Sequence, residues 1–397
     1  MSTRVPTYPP RVLHCLRAPV GGLFRHVFDL AKAQSAAGYS VGILCADEPN
    51  DPLTNDHISE LETYCELGVT RIGLGRLPGF SDVKALIATA KKLRQISPDV
   101  LHGHGAKGGL LARCVPSSAP LARVYTPHGG SIHYSPESTL GRVFGFAERT
   151  MLARTDGLIL ESEFARSVFA QRFGDLPTNT HVVHNGLASH EFDSVPTRTD
   201  PADFLFLGEI RELKGIFTLL EAVAEVAVHR KITVDVAGDG PDMVAFVEAI
   251  DARSLSGSIQ VLGKVPAREA FTRARAVVLP SHHDSFPYVA LEAAAAGKPL
   301  IATSTGGIPE IFGPLSDRLV EPGNARALEQ ALVNFLSNET ECLRDAADLH
   351  AYVGDQFSLT GMANGVAAVY AEALTARRNK PNGQPYTSSH AKLDAAE

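Results

Sequence analysis

Short β-branched runs that end in Gly, His or Ser, each followed by a helical stretch, recur along most of this chain. The first is Arg11–Ala18, followed by a Gly21-Gly22 turn and a helix to about Ala37. The β pattern returns at Ser40–Cys45, Arg71–Leu74, Asp99–Leu101, Arg123–Thr126, Gly157–Leu160 and His181–Val183. Helical patterns such as Asp82–Gln95 and Glu163–Arg172 separate most of these runs. Such alternation predicts the α/β class, with parallel sheets wrapped by helices in a doubly wound arrangement. After Asn185-Gly186 the rhythm stops. Residues 191–203 are polar, carry Pro196 and Pro201 and show no apolar period, which reads as a linker. The alternation restarts at Phe204–Leu207, Thr233–Ala237, Ile259–Leu262, Ala276–Leu279, Leu300–Ala302 and Arg318–Val320. Two domains are therefore expected, 1–190 and 204–358, with a last helix over Leu359–Arg377. The remaining polar residues, 378–397, carry Pro381 and Pro385 without periodicity and are expected to be disordered.

A length of 397 residues suits two such cores better than one. The formal net charge of -7 argues against a nucleic-acid partner, for which a basic footprint is expected. The five cysteines, Cys15, Cys45, Cys65, Cys114 and Cys342, form no CxxC pair and are expected to be thiols of a reducing compartment. The first ten residues lack an apolar signal region, and the most apolar helix, around Val289–Ala296, is too short to span a bilayer. A cytoplasmic location is expected, with contact at a membrane surface left open.

In open α/β sheets ligands bind beyond the carboxyl ends of the strands, and two such domains facing one another would enclose a cleft. Chemistry is best sought just after each strand. The stretch 276–297, AVVLPSHHDSFPYVALEAAAAG, places a strand before a helix of about Pro287–Ala296. Asp284 or Ser285 suits the N-cap, Pro287 the first turn and Gly297 the C′ position. The N-terminus of this helix offers N–H groups and partial positive charge to a diphosphate. Ser285, Phe286, Pro287, Tyr288 and Val289 are therefore candidate nucleotide-binding positions. Asp284 and Glu292 could each accept paired hydrogen bonds from vicinal sugar hydroxyls. Spacing alone serves equally well for a plain cap and a solvated acid.

This segment resembles the E-x7-E signature of retaining GT-B glycosyltransferases, the "glycosyl transferases group 1" of glycosyltransferase family 4. Asp284 stands at the first acidic place, where the family usually carries Glu, and Glu292 at the second. The resemblance implies that the first acid meets the donor sugar and the second the nucleotide ribose. Gly208-Glu-Ile-Arg-Glu-Leu-Lys-Gly215 resembles the family's GR-xxxx-KG loop, with Glu209 at the usual Arg place and Arg211 two positions later. Arg211 and Lys214 would neutralise the leaving diphosphate. Gly238 and Gly240 match the G-x-G-P turn, and Gly306, Gly307 and Glu310 the G-G-x-x-E element, where the two glycines would permit close approach to a ligand. Gly21 and Gly22 resemble the family's N-terminal glycine loop, His128 its donor-sugar histidine and Asn185-Gly186 the turn before the linker. The catalytic set so implied is Asp284, Lys214, Arg211 and His128.

The implied fold is GT-B, with the last helix crossing back to the first domain. The implied activity is transfer of a hexose-type sugar, with retention, from a nucleoside-diphosphate sugar to a glycan or lipid-linked glycan. No metal cofactor is expected, and no D-x-D triplet occurs. His102 and His104 form an H-x-H pair of the kind that binds metal, but no third ligand of matching spacing accompanies it, and a polar cleft wall is the favoured reading. His282-His283 is treated in the same way. The loop Gly129–Gly141 falls where the family contacts acceptors. The helix Arg142–Arg154, basic on one side and apolar on the other, is read as packed on its own domain rather than on an anionic membrane. Two other classes fit the same scaffold. A sugar-nucleotide 2-epimerase would release sugar without an acceptor, and a non-catalytic binding protein would hold the nucleotide sugar without turnover.

Overall fold

The computed structural model describes residues 9–77, 79–117, 119–129 and 139–378. Most of the loop expected to meet acceptors, and the polar tail after residue 378, lie outside the described residues. The chain divides into two compact units, one ending at Val183 and taken up again from Met362, the other His184–Gly361.

The first unit is a seven-stranded parallel sheet. Its strands are β1 (Arg11–Cys15), β2 (Ser40–Ala46), β3 (Val69–Ile72), β4 (Val100–His104), β5 (Ala122–Thr126), β6 (Gly157–Leu160) and β7 (Thr180–Val182). Their spatial order is β3-β2-β1-β4-β5-β6-β7. The second unit has five parallel strands, β8 (Ala202–Leu207), β9 (Val234–Ala237), β10 (Ile259–Gly263), β11 (Ala274–Leu279) and β12 (Leu300–Ala302), in the order β10-β9-β8-β11-β12. The chain belongs to the doubly wound α/β class.

Period-two alternation explains how each strand feeds two cores. In β2, Val41, Ile43 and Cys45 pack on one face of the sheet and Leu44 and Ala46 on the other. In β8, Leu205 and Leu207 join one cluster and Phe204 and Phe206 the other. Helices cover both faces, so continuously apolar strands are what such a sheet requires. Among the described residues no helix is long and apolar enough to cross a membrane. All five cysteines are free, and burial pushes the thiols of Cys45 and Cys65 up to about 12.

Two local readings need correction. Arg318–Val320 forms no sheet strand; Val320 makes an isolated bridge to Thr303, with two main-chain bonds flanking it. The strand expected over Asp99–Leu101 runs on through His104, and a helix, Gly105–Cys114, follows it directly. Its glycines hid it, because glycine disfavours helix interiors. Gly108 is required there by contact, since a Cβ would stand 2.1 Å from the Cys15 carbonyl oxygen on β1.

The last helix, Leu359–Arg378, packs into the first unit from Met362 onward. Arg377 Nε donates to Asp156 Oδ2 at 2.8 Å, Asn179 Nδ2 donates to the Val369 carbonyl, and Tyr370 is buried.

Candidate functional site

The winding of each sheet reverses at one place, between β1 and β4 in the first unit and between β8 and β11 in the second. Loops leaving adjacent strands there diverge to opposite faces and open a crevice, the usual ligand position in such sheets.

In the second unit the loop after β8 carries Gly208, Glu209, Arg211 and Lys214, and the loop after β11 carries Asp284. Lys214 Nζ reaches across to Asp284 Oδ1 at 2.7 Å. The structure thus joins two residues 70 positions apart that had been assigned separate tasks. Arg211 is more exposed, and the Glu209 carboxylate lies 3.9 Å from its guanidinium.

Asp284 is not the cap of the following helix. That helix runs Tyr288–Ala295, with Pro287 at the N-cap and no side-chain capping bond. The helix begins four residues beyond Asp284, whose carboxylate accepts from Lys214 instead. Gly297, at φ 70°, ends the helix as anticipated. Glu292 lies half-buried within the helix, Phe286 and Tyr288 are buried, and Ser285, Pro287 and Val289 are half-buried around its start.

Neighbouring loops hold this segment by main-chain contact. His282 N donates to the Leu213 carbonyl at 3.0 Å, and Gly307 N donates to the Ser285 carbonyl at 2.7 Å. A Cβ on Gly306, whose φ is 58°, would stand 1.4 Å from the Asp284 carbonyl oxygen. Gly306 therefore makes a close approach to the protein's own backbone. Gly208 N donates to the Ala237 carbonyl at 3.0 Å and Gly238 N to the Gly263 carbonyl at 2.7 Å, tying the turn that contains Gly240 to its neighbours. Asn185 Nδ2 donates to the Phe286 carbonyl at 2.9 Å. His184 Nε2 lies 2.8 Å from Glu310 Oε2 and its ring stands on Phe286. His282 meets Thr218 Oγ1 at 2.9 Å, which gives that histidine a structural partner. A cavity of about 120 Å³ lies elsewhere in this unit, beside Leu300, Arg318 and Cys342, away from the strand-end loops.

In the first unit Gly21 and Gly22 are exposed at the start of the helix Gly21–Ala36, after β1. Beside them is a feature that the sequence did not reveal. His14 on β1 is the register partner of His102 on β4, and His104 points to the same side two residues on. His102 and His104 are fully buried, not a cleft wall. His14 Nδ1 meets His104 Nε2 at 2.9 Å, and His104 Nδ1 meets His128 Nε2 at 3.0 Å. His14 Nε2 meets Gln34 Oε1 at 2.8 Å. His128 Nδ1 lies 2.7 Å from Glu161 Oε1, so both nitrogens of the predicted sugar-binding histidine are engaged within the unit. His102 spans the Tyr370 hydroxyl at 2.7 Å and Thr126 Oγ1 at 2.9 Å.

Burial pushes the His14 imidazole down to about 4 and holds those of His102 and His104 well below the usual range. A neutral ring donates at one nitrogen and accepts at the other, so the bonds from Gln34 through His14 and His104 run in one direction. His128 sits at φ 47°, a conformation rare outside glycine and asparagine, at the end of this chain of bonds. His14, His102 and His104 also lie close enough to hold a metal ion, with His14 as the third ligand missing from the sequence reading. Every ring nitrogen of these three already has a protein partner, so a cation would have to displace those bonds.

Residues 189–351 match the family model "Glycosyl transferases group 1", and residues 20–190 match "Glycosyltransferase Family 4". The chain is a group 1 glycosyltransferase of family 4. It is 27% identical to glycogen synthase of Mycobacterium tuberculosis over 95% of each chain. It is 26% identical to 2-deoxystreptamine glucosyltransferase of Streptomyces kanamyceticus, over 74% of this chain and 82% of that one. Among solved structures, sucrose-phosphate synthase from Thermosynechococcus elongatus matches at TM-score 0.77 and 20% identity, covering 92% of this chain and all of that one. Anabaena HepE in complex with UDP and glucose matches at TM-score 0.74 and 16% identity, over 90% and 98%. The fold of this glycosyltransferase is GT-B.

Proposed function

We propose that this glycosyltransferase moves a hexose-type sugar, with retention of configuration, from a nucleoside-diphosphate sugar to a glycan or lipid-linked glycan in the cytoplasm. The observation that carries the reading is the Lys214–Asp284 pair at the β8–β11 switch point. An ammonium held there by a carboxylate is placed to exchange that partner for a diphosphate. Asp284 is then released to face the donor sugar. Lys214, Arg211 and the N-terminus of the helix Tyr288–Ala295 would together offset the charge that grows on the departing phosphate, without a metal ion. The sequence offers no close carboxylate pair of the kind that retaining glycosidases use to form a covalent intermediate. A same-face substitution fits better: the bond from C1 to the phosphate oxygen breaks, the acceptor oxygen bonds to C1, and the departing phosphate takes the acceptor proton. HepE, which shares this fold, is described with UDP and glucose, which makes a uridine nucleotide the first donor to try.

The test is calorimetric titration of UDP, GDP and ADP in EDTA, with wild type and Lys214→Ala. One nucleotide should bind without metal, and the variant should lose turnover by about 10²–10³-fold, the usual cost of one oxyanion-stabilising donor. Its melting temperature should fall modestly, because the two side chains are only 27% and 14% exposed and the variant leaves the Asp284 carboxylate without its partner. Unchanged turnover in a folded variant would remove Lys214 from the mechanism. Nucleotide binding with no turnover over a broad acceptor panel would favour a binding protein instead.

A further inference from the structure

Large apolar side chains are exposed singly at several places on this chain, which is ordinary. One segment departs from that. Leu77, Phe80, Val83 and Ile87 are 73%, 90%, 56% and 66% exposed. Phe80, Val83 and Ile87 follow one another at helical spacing on the helix Phe80–Ile96, and Leu77 lies just before it. The opposite face, with Asp82, Ala85, Thr89 and Leu93, is buried against the sheet. The stripe therefore belongs to a face that the first unit leaves uncovered.

Its geometry is held from beneath. Lys107 Nζ donates to the Leu77 carbonyl at 3.0 Å and to Asp82 Oδ1 at 2.5 Å, and Gly79 N donates to Asp82 Oδ2 at 3.0 Å. The loop and the first helical turn are thereby fixed with their apolar side chains outward.

The exposed charge carried by the segment itself is of one sign. Lys84 and Lys91 stand four residues after Phe80 and Ile87, hence beside them, and Arg94 lies one further turn along. Residues 76–96 hold five cations and one acid, in a chain whose formal net charge is -7. That acid is Asp82, buried under Lys107. A second copy of the chain would bring this basic face against itself, where like charges repel. A bilayer with anionic headgroups accepts both parts, the apolar ridge at the acyl boundary and the cations among the phosphates. We infer that the face bearing Leu77, Phe80, Val83 and Ile87 docks this protein on an anionic lipid surface. The helix Thr139–Leu152 ties Glu148 to buried Arg113 within its own unit and exposes one large apolar side chain among its described residues, Phe146, rather than a row of them.

The test is co-sedimentation of the full chain with vesicles of phosphatidylcholine plus phosphatidylglycerol and with phosphatidylcholine alone. The variants are Phe80→Asp with Ile87→Asp, and Lys84→Glu with Lys91→Glu. Wild type should partition to the anionic vesicles, and each pair should reduce partitioning by about tenfold or more. Added salt should weaken wild-type binding. The altered side chains are exposed, so melting temperature and nucleotide binding should stay as in wild type, which keeps this outcome separate from that of the transfer reaction. Equal partitioning of wild type and variants, or none by wild type, overturns the inference. So does a wild-type dimer in sedimentation velocity that the Phe80→Asp, Ile87→Asp pair dissociates, since the face would then meet a second copy.

Discussion

The loops at the β8–β11 switch point are shaped by main chain against main chain, with Gly306 under the Asp284 carbonyl and His282 N on the Leu213 carbonyl. The β1–β4 switch point is shaped by buried side chains, in which four imidazoles, an amide, a phenol and a carboxylate bond one another. The first construction leaves charged groups such as Lys214 and Arg211 at the surface, free to change partners. The second spends most of its polar atoms internally and gives a closed, buried network. Each unit thus builds its own switch point by a different means, main-chain contact in one and buried side-chain bonding in the other.

The contrast breaks most sharply at Gly306. Gly306→Val puts a Cβ into the Asp284 carbonyl and demands a left-handed conformation from a β-branched residue. It should destabilise the second unit by roughly 3–5 kcal/mol and abolish nucleotide binding, followed by urea unfolding and calorimetry. The first unit's transition should stay in place. Loss of less than about 1 kcal/mol would show that the loop can move aside.

A smaller effect is expected in the first unit from Tyr370→Phe. It removes the hydroxyl that partners His102 Nδ1 and leaves that buried nitrogen without its bond. Urea unfolding should show a loss of about 1–3 kcal/mol, with nucleotide affinity kept. If affinity fell while stability did not, the network would serve more than the fold of its own unit.

Acidity sharpens the comparison further. Above the ordinary value of 6.5 the His14 ring is neutral in folded and unfolded chains alike. Between 6.5 and about 4 the unfolded chain takes up a proton that the folded chain refuses, so stability falls as pH falls. His102 and His104 act in the same direction. His14→Asn should flatten the acid side of the stability curve by up to about 1.4 kcal/mol per pH unit, measured by unfolding at a series of pH values. An unchanged slope would mean that this ring is not held neutral.

Much of the second unit's site was legible because its parts lie in short contiguous runs. Gly208 to Gly215, Asp284 to Glu292 and Gly306-Gly307 are each punctuated by glycine at strand ends, and strand ends are visible as β-branched runs. The partner of Asp284 was not legible, since nothing in the spacing distinguishes a helix cap from an ion pair with a lysine 70 residues away. His14 was passed over for a related reason. It stands in an apolar strand with no neighbour of its kind, and only the parallel register brings it beside His102.

The sequence by itself determined the class of fold, the alternation that feeds two cores per sheet and the strand-end loops that carry the candidate residues, because these follow from local periodicity and backbone chemistry. Only the tertiary structure decided that Lys214 holds Asp284, that His102 and His104 are walled in with His14, and that Phe80 and Ile87 face outward rather than into the core. Each of those depends on which distant segments share a crevice or leave a face uncovered, and pairing at long range leaves no mark on the spacing of residues along the chain.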